Sequence, residues 1–352
     1  MEVIPHSRPW ITPGDIAGVS EVLASAMLGQ GARVRLLEQR LAEWLGAADG
    51  VAVGSGAAGI WLGLHGLRVG VGDEVILPTY VCRSVLEAVL SVGATPVLCD
   101  VGPDWVITAS EVDKVRSHRT RAVVAPHLYG IFADIGAIRS LGLPVIEDCA
   151  QAVGAKGQRP LMGDVAVLSL HPTKCLTAGE GGVVVTSDPE ALLRMRAFRD
   201  GSAGIGGVYA GRLLSPMSEL AAALALSQLE RYESGLARRQ EIAAAYIDTV
   251  NACNPDLLQS ALFPRSMFFR FPLRVPGGLA ACQEAFSALG VQVRRGVDEL
   301  LHRALGLPDA AFPNAVKHFE TTVSVPIYPA LSQHDELRCR DAMAAVLPNI
   351  SH

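Results

Sequence analysis

Between residues 51 and 186 the chain alternates short, continuous apolar runs with stretches of helical character. Most of these runs are rich in β-branched residues and lack alternating polar positions, which is typical of strands covered on both faces. Strands of this kind, separated by helices, predict a mostly parallel sheet between layers of helices. The runs are VAVG (51–54), EVILP (74–78), TPVLC (95–99), RAVVAP (121–126), PVIE (144–147), VAVLSL (165–170) and GVVVT (182–186).

Beyond residue 215 the pattern changes. A long stretch of helical character, about 218–250, precedes the break NACNPD at 251–256. The candidate elements after the break are strands near 267–275 and 290–294 and a helix at 279–289. We therefore predict a large domain over residues 1–250 and a smaller C-terminal α+β domain over 251–352.

Composition narrows the class of partner. Of the 352 residues 50% are hydrophobic and 18% are charged, which excludes a disordered chain. The net charge is −5 and no run of Lys or Arg occurs, so nucleic acid and anionic membranes are poor candidates and a small molecule is favoured. The seven cysteines are never spaced as CxxC, which indicates neither a disulfide framework nor a zinc site.

The N-terminal stretch MEVIPHSRPWITPGD lacks the apolar segment of a signal peptide. Apolar stretches elsewhere are far shorter than the ~20 residues that span a bilayer. We therefore expect a cytoplasmic protein.

Ligands of open α/β sheets bind outside the carboxyl ends of the strands, so the residues that follow each run are the candidates for a site. The first run leads through Ser55, Gly56 and Ala57 directly into a helix, where backbone N–H groups can approach a phosphate. Residues 54–59 also match the dinucleotide pattern GxGxxG, with Asp73 and Glu74 about 20 residues further on. Those acids precede or open their strand instead of ending the second one, so the pattern indicates a phosphate more than a dinucleotide, and a purely structural turn stays open.

Two further strand ends carry charge. Asp148 follows PVIE, and Lys174 stands between an apolar run and the turn Gly179–Gly182, where its pKa can be lowered. Taken alone, the acid is often a solvated carboxylate and the lysine a surface charge. Together with the phosphate turn they predict pyridoxal phosphate (PLP), which needs a lysine for its aldehyde, a carboxylate for its ring nitrogen and donors for its phosphate.

With these residues the sequence resembles the DegT/DnrJ/EryC1/StrS family of PLP-dependent sugar aminotransferases. The resemblance covers most of the chain. Its strongest stretches are VIEDCAQAVGA (145–155) and LSLHPTKCLTAGEGGVVVTSD (168–188), and further stretches are IPHSRP (4–9), GDEVILPTYVCRSVLEAV (72–89), PHLYG (126–130), MSELAAALALSQLERYESGLARRQEIAAAY (217–246) and VPIYPAL (325–331).

The resemblance implies the aspartate aminotransferase fold (PLP fold type I), with a seven-stranded sheet, a small C-terminal domain and a homodimer whose active site lies at the interface. It implies that Lys174 forms the internal aldimine and that Asp148 pairs with the ring nitrogen. Gln151 matches a residue near the ring hydroxyl, and Tyr80 matches an aromatic ring stacked on the cofactor. The implied phosphate contacts are Ser169 and the turn Gly56–Ala57.

The activity that the resemblance implies is ping-pong transfer of an amino group, with pyridoxamine phosphate as the intermediate form of the cofactor. L-Glutamate is the expected donor and a keto-sugar nucleotide the expected acceptor, in the biosynthesis of polysaccharide or antibiotic sugars. No metal is implied. A keto acceptor without a nucleotide, such as a cyclitol, and a PLP-binding regulatory homologue are the alternatives. A pyridoxamine-dependent dehydratase carries histidine in place of the lysine, and Lys174 argues against it.

Three positions depart from the family pattern. Ala57 stands where the family has threonine, so a hydroxyl is lost from the phosphate turn. Leu214 stands where the family has an asparagine that reaches the partner subunit's cofactor, with Arg212 or Ser215 as possible replacements. Arg83 stands where a small residue is usual. His127, Tyr129, Arg83, His302 and Tyr328 are candidates for the acceptor pocket, with structural roles at least as good an interpretation of each.

Overall fold

The computed structural model describes residues 2–154, 161–201, 215–259, 263–264 and 266–350. Ten strands and thirteen helices are present in these ranges. The strands are β1 (Asp49–Val53), β2 (Glu74–Pro78), β3 (Thr95–Cys99), β4 (Thr120–Pro126), β5 (Val145–Asp148), β6 (Val165–Ser169), β7 (Gly182–Thr186), β8 (Phe271–Arg274), β9 (Arg294–Arg295) and β10 (Thr322–Val325). All seven predicted runs in the first half of the chain form strands.

The helices lie between and around these strands. They are α1 (Pro13–Ser25), α2 (Ala32–Trp44), α3 (Gly56–Gly66), α4 (Arg83–Ser91), α5 (Ala109–Val115), α6 (Ile135–Arg139), α7 (Pro189–Asp200), α8 (Glu219–Glu230), α9 (Tyr232–Cys253), α10 (Gly278–Ala288), α11 (Leu301–Ala304), α12 (Pro313–Thr321) and α13 (Gln333–Val346).

The large sheet has seven strands in the order β1-β7-β6-β5-β4-β2-β3. The strands from β6 to β3 are mutually parallel, whereas β7 is antiparallel to both of its neighbours. The inner strands are buried along nearly their whole length, as the continuous apolar runs predicted. This is the mixed α/β architecture of PLP fold type I, and the carboxyl ends of β2, β4, β5 and β6 meet at one edge of it.

Apolar side chains pack on both faces of this sheet in two clusters. One contains Val51, Leu62 and Ile146, and the other contains Leu37, Leu168 and Ala225. A third cluster joins α9, α10 and α13 to the small sheet, whose order is β8-β10-β9. The helix α9 crosses residue 250 and contributes Tyr246 and Val250 to that third cluster. The division of the chain at residue 250 stays a prediction.

The long helical stretch predicted over 218–250 is two helices. The first, α8, ends at Glu230, and α9 begins at Tyr232, with Arg231 at non-helical angles between them. The change of direction brings Arg231 back to α1, where its guanidinium contacts the Asp15 carboxylate. The prediction missed this break because neither Gly nor Pro marks it in the sequence. No helix in the described ranges is long and apolar enough to cross a membrane.

Candidate active site

A cavity of about 80 Å³ lies at the edge where the parallel strands end. We call it the strand-end cavity. Its lining comes from the segments that follow β2, β4, β5 and β6 and from the first two turns of α3, which is the placement expected for a ligand site in an open α/β sheet. The lining includes Gly56, Ala57, Cys82, His127, Asp148, Gln151, Ser169 and Lys174. Six of the seven predicted site residues therefore line one cavity, and Tyr80 is the exception.

The start of α3 forms one end of the cavity. Ser55 caps the helix, and its Oγ accepts a hydrogen bond from the Ala58 amide at 3.1 Å. The amides of Gly56 and Ala57 belong to the first turn, where a helix has no internal acceptor for them. Gly56 packs so tightly on Ser169 that a Cβ added there would lie 2.8 Å from the serine Cβ. The Ser169 hydroxyl and the two amides thus face the same small volume, which suits a phosphate.

Asp148 ends β5 and lies at the base of the cavity. Its Oδ1 accepts a hydrogen bond from the Ala150 amide at 3.0 Å, and the side chain is almost fully buried. Burial raises the pKa of the Asp148 carboxyl, while the Ala150 amide and the Lys174 amine lower it in part. A carboxyl in this setting gains from a cationic N–H partner, because a buried carboxylate is costly without one.

Lys174 lies in the turn after β6. Its backbone amide donates to the His171 carbonyl at 2.9 Å, and its Nζ lies 5.5 Å from the centre of the Phe269 ring. Burial lowers the pKa of the Lys174 amine below its usual value, and the Asp148 carboxyl acts in the opposite direction. A larger fraction of this amine is therefore neutral at a given pH than for an exposed lysine, and the neutral amine is the nucleophile.

Gln151 lies between Asp148 and the segment after β4. Its Oε1 accepts a hydrogen bond from the Tyr129 amide at 2.9 Å. That contact orients the side-chain amide, and within the described residues its Nε2 has no acceptor. The NH₂ group is thus placed to donate to a ligand oxygen in the cavity.

Tyr80 does not line the strand-end cavity. Its side chain is fully buried, and its hydroxyl lies 2.8 Å from the hydroxyl of Tyr129. After β2 ends at Pro78 the ring turns into the core, against His318 and the backbone of Gly296. Val81 and Cys82 are the residues of this segment that reach the cavity. The position of Tyr80 therefore does not support the stacking role that the resemblance implies for it.

One departure from the family pattern, Ala57, lies at the phosphate end of the cavity. Its side chain is a methyl group and adds no hydroxyl to the backbone donors of the turn. Ser215 packs beside the same turn, and its carbonyl accepts a hydrogen bond from the Gly54 amide at 2.7 Å. Arg212 and Leu214 lie outside the described residues.

Most of the side chains considered for the acceptor pocket have structural contacts. His302 is fully buried between Thr79, at 2.7 Å, and Asp309, at 2.9 Å. Arg83 is exposed and pairs with Glu87 and Glu299. Tyr129 and Tyr328 are almost fully buried, Tyr129 in its contact with Tyr80 and Tyr328 in the third apolar cluster.

His127 is the one of these candidates that lines the cavity. Its Nδ1 accepts a hydrogen bond from the Ala133 amide at 3.1 Å, which places the ring proton on Nε2 for donation to the Glu147 carboxylate at 3.1 Å. Glu147 and Cys149 lie near enough to His127 for a three-ligand cluster. Since both ring nitrogens already have partners, we assign His127 a positioning contact and no metal.

Comparison with known proteins agrees with this geometry. The model of the DegT/DnrJ/EryC1/StrS aminotransferase family matches residues 10–343. The chain belongs to this family. It is thus a PLP-dependent aminotransferase, and the expectation drawn from the sequence motifs is confirmed.

Three solved structures are among those similar to this aminotransferase over nearly its whole length. The aminotransferase TlmJ from Streptoalloteichus hindustanus is 30% identical, with a TM-score of 0.86 and 98% of each chain covered. DesV from S. venezuelae, in complex with a ketimine intermediate, is 29% identical with a TM-score of 0.85, covering 96% of this chain and 95% of that one. DesI, in the presence of its TDP-sugar product, is 28% identical with a TM-score of 0.90, covering 99% and 93%.

Sequence reasoning missed several lining residues of the aminotransferase. Cys82 and Ser84 follow β2 and Pro126 ends β4, so the same rule that found Asp148 identifies them once the strand ends are known. Phe269, which contacts Lys174 without lining the cavity, has no such signal. It precedes β8, nearly 100 residues after Lys174, and only the packing of the small sheet brings its ring to the amine.

Proposed function

We propose that the protein transfers an amino group from L-glutamate to a keto-sugar nucleotide, with PLP held in the strand-end cavity. One observation carries the proposal: the Lys174 amine, the Asp148 carboxyl and the first turn of α3 line a single cavity. An amine, an acid and a set of phosphate donors around one space match the three chemical demands of this cofactor.

The polar groups that line the cavity fit the phosphate end and the ring end of the cofactor. The amides of Gly56 and Ala57 with the Ser169 hydroxyl would hold the phosphate, and Asp148 would pair with the ring nitrogen. Gln151 would donate to the ring oxygen, since its own Oε1 is held by the Tyr129 amide. When bound, PLP supplies an aldehyde that condenses with an amine and a ring that accepts the electron pair left at the donor carbon.

The protein's own groups then govern the proton transfers. Asp148 would hold a proton on the ring nitrogen by its negative charge. Lys174 Nζ is the amine in the lining of the cavity, so it is the group that would take the proton from the α-carbon of the donor and deliver it to the cofactor carbon that receives the amino group. Burial of that amine lowers its pKa, which favours the neutral form that accepts a proton.

The acceptor class follows from the relatives. DesI, which shares 28% of its residues with this chain, was solved with its TDP-sugar product. A keto-sugar linked to a nucleoside diphosphate is therefore the acceptor to test first. Both half-reactions use the same cavity, so ping-pong kinetics are expected.

We also propose that two copies of the chain pair, with the cavity close to their interface. The support is an apolar surface on and after α1, where Ile16, Leu23 and Met27 are 62%, 57% and 74% exposed. Large exposed apolar side chains in one segment are typical of an interaction surface. Light scattering should give twice the 37.1 kDa of one chain, and a mass of 37.1 kDa would contradict the pairing.

The visible absorption spectrum tests the proposed activity. Purified protein is mixed with PLP, and the band of the lysine-bound cofactor is followed before and after addition of glutamate. Borohydride reduction and peptide mass mapping locate the attachment, with Lys174→Ala as the control. We expect a band that glutamate bleaches and a label on Lys174.

Other results argue against specific parts of the proposal. A band that glutamate leaves unchanged excludes glutamate as the donor. A label on another lysine removes Lys174 from its role, and the absence of any band removes the cofactor assignment.

A further inference from the structure

A second cavity, of about 20 Å³, shares Lys174 with the strand-end cavity and no other lining residue. It lies between the N-terminal segment, the turn after β6 and the junction of α8 and α9. We call it the cation cavity and define it by Arg8, Trp10, Lys174, Arg231, Tyr232 and Arg239. Because Lys174 lines both spaces, a molecule that reacts at this amine can extend into the second cavity.

The lining of the cation cavity is positively charged. It includes Arg8, Lys174, Arg231 and Arg239, and no lining residue is acidic. Within the described residues Arg239 has no carboxylate partner, although it is only 4% exposed. Its Nη1 donates instead to the carbonyls of Phe268, Phe269 and Ile327, at 2.7 to 3.2 Å. Buried positive charge without an anion is costly, so this cavity favours an anionic ligand.

Two donor groups in this lining have no partner. Both the Tyr232 hydroxyl and the Arg231 Nε are buried, and neither makes a hydrogen bond within the part of the chain that the structure describes. Tyr232 is 4% exposed, and burial raises the pKa of its hydroxyl well above the usual value. The Cys175 thiol raises this pKa further, whereas Arg239 lowers it. The hydroxyl is therefore protonated at neutral pH. It lies near Cys175 and Arg239, which also line the cavity. An unpaired buried donor calls for an acceptor.

Arg231 is held in place for such an acceptor. Its Nη1 donates to the Asp15 carboxylate at 2.8 Å, and its Nη2 donates to the Trp10 carbonyl at 2.7 Å. Both terminal nitrogens are thus committed, and the unpaired Nε–H is the donor that remains. Tyr232 is the first residue of the 22-residue helix α9, whose N-terminal dipole adds to the positive potential.

The size of the cavity limits the anion. The open space in the cavity is about 20 Å³, little more than one ordered water needs. It admits one carboxylate group of a longer molecule and is too small for a nucleotide sugar. Carboxylate oxygens are acceptors for both unpaired donors and carry the negative charge that Arg239 lacks beside it.

We propose that the cation cavity is a subsite that binds a carboxylate of the amino-acid donor, through Tyr232, Arg231 and Arg239. The subsite rests on the proposed aminotransferase function, since it places the donor next to Lys174. It explains how a donor with two carboxylates is selected: the amine reacts beside Lys174 while a carboxylate is held on the far side of that residue.

Glutarate is the probe, because it has both carboxylates of glutamate and no amino group to react. Its dissociation constant is measured by titration calorimetry on protein with and without PLP, for the wild type and for Tyr232→Phe. We expect Tyr232→Phe to weaken glutarate binding about tenfold, the loss expected for one hydrogen bond to a charged group. The unfolding midpoint should not fall, since the lost hydroxyl has no hydrogen-bond partner among the described residues.

Tyr246→Phe is the matched control. Tyr246 lies on the same helix, and its buried hydroxyl donates to the Pro326 carbonyl at 2.9 Å. This variant should lower the unfolding midpoint by about 2 °C and leave glutarate binding unchanged. The two variants together separate a ligand contact from a contribution to folding.

Inorganic phosphate and thymidine diphosphate are titrated in parallel. Tighter binding of either than of glutarate, weakened by Tyr232→Phe, would assign the cavity to a phosphate group and overturn the proposal. Equal glutarate affinity of wild type and Tyr232→Phe would also overturn it. Protein that shows the PLP band but binds no glutarate rejects the subsite alone, whereas protein without the band rejects the proposed function.

Discussion

The strand-end cavity and the cation cavity meet at Lys174 but take their residues from different parts of the fold. The first is built from the ends of parallel strands and the start of one helix, and it offers a carboxyl, an amine and backbone donors. The second is built from side chains of the N-terminal segment and of α9, and it offers positive charge almost alone. The first therefore suits a cofactor with several kinds of polar group, and the second suits a simple anion.

The difference teaches how one lysine can serve two ligands. On the side of the strand-end cavity Asp148 balances its charge, while on the other side no lining residue is acidic. Substitutions should therefore separate the chemistry of the first cavity from the binding in the second.

Lys174→Ala should cause the largest difference between the loss of amino transfer and the loss of glutarate binding. Loss of the amine removes both cofactor attachment and proton transfer, so amino transfer should fall by about 10³-fold or more. Glutarate binding should weaken by less than about tenfold, because three arginines remain in the cation cavity. Single-turnover kinetics and calorimetry measure the two effects. An equal loss of both would show that the cavities act as one site.

Asp148→Asn should have the next largest effect, and on one cavity only. The amide cannot hold a proton on the ring nitrogen as an anion does, and a buried charge loses its partner, so the rate of the first half-reaction should fall about 10²-fold. The glutarate dissociation constant should not change, since Asp148 does not line the cation cavity. Asp73→Asn, at an exposed ion pair with Arg121, is the control.

Ala57→Ser should strengthen cofactor binding in the strand-end cavity, in contrast to the losses expected for the two substitutions above. The new hydroxyl stands in the first turn of α3, where it adds a donor for a phosphate. We expect the dissociation constant of PLP to fall about fivefold, which corresponds to one hydrogen bond of about 1 kcal/mol. Fluorescence titration with PLP measures it. Weaker binding would mean that the methyl group of Ala57 is needed for packing.

The pH dependence of PLP uptake tests the environment of Lys174. Because burial lowers the pKa of this amine, its neutral form accumulates at lower pH than for an exposed lysine. The uptake rate should therefore rise with pH and level off below the ordinary lysine pKa of about 10.4. In Asp148→Asn the pH at which the rate levels off should be lower still, since the Asp148 carboxyl acts to raise the pKa of Lys174. A wild-type rate that still rises above pH 10.4 would contradict the burial of the amine.

Much of the fold follows from local patterns. Each β-branched run forms one strand, because continuous apolar stretches of four to eight residues can be covered only inside a sheet that has helices on both faces. The end of each strand then places Asp148, Ser169 and the start of α3 at one edge. Six of the seven predicted site residues line the cavity for that reason.

The direction in which each side chain after a strand points was harder to predict. Tyr80 and Cys82 follow the same strand, two positions apart, yet the ring of Tyr80 lies in the core and Cys82 reaches the cavity. The direction of each side chain depends on the turn after Pro78, where the Thr79 amide donates to the Cys99 carbonyl at 2.9 Å. No pattern within the segment predicts that contact.

The sequence by itself determined the parallel sheet, the family and the charged residues at the strand ends, because strand ends and helix starts are local features with a fixed place in this architecture. Only the tertiary structure decided the break at Arg231, the approach of Phe269 to Lys174 and the existence of the cation cavity. Those depend on contacts between segments far apart in the chain, such as Asp15 with Arg231. Such contacts are set by packing of whole elements, and local sequence carries no record of them.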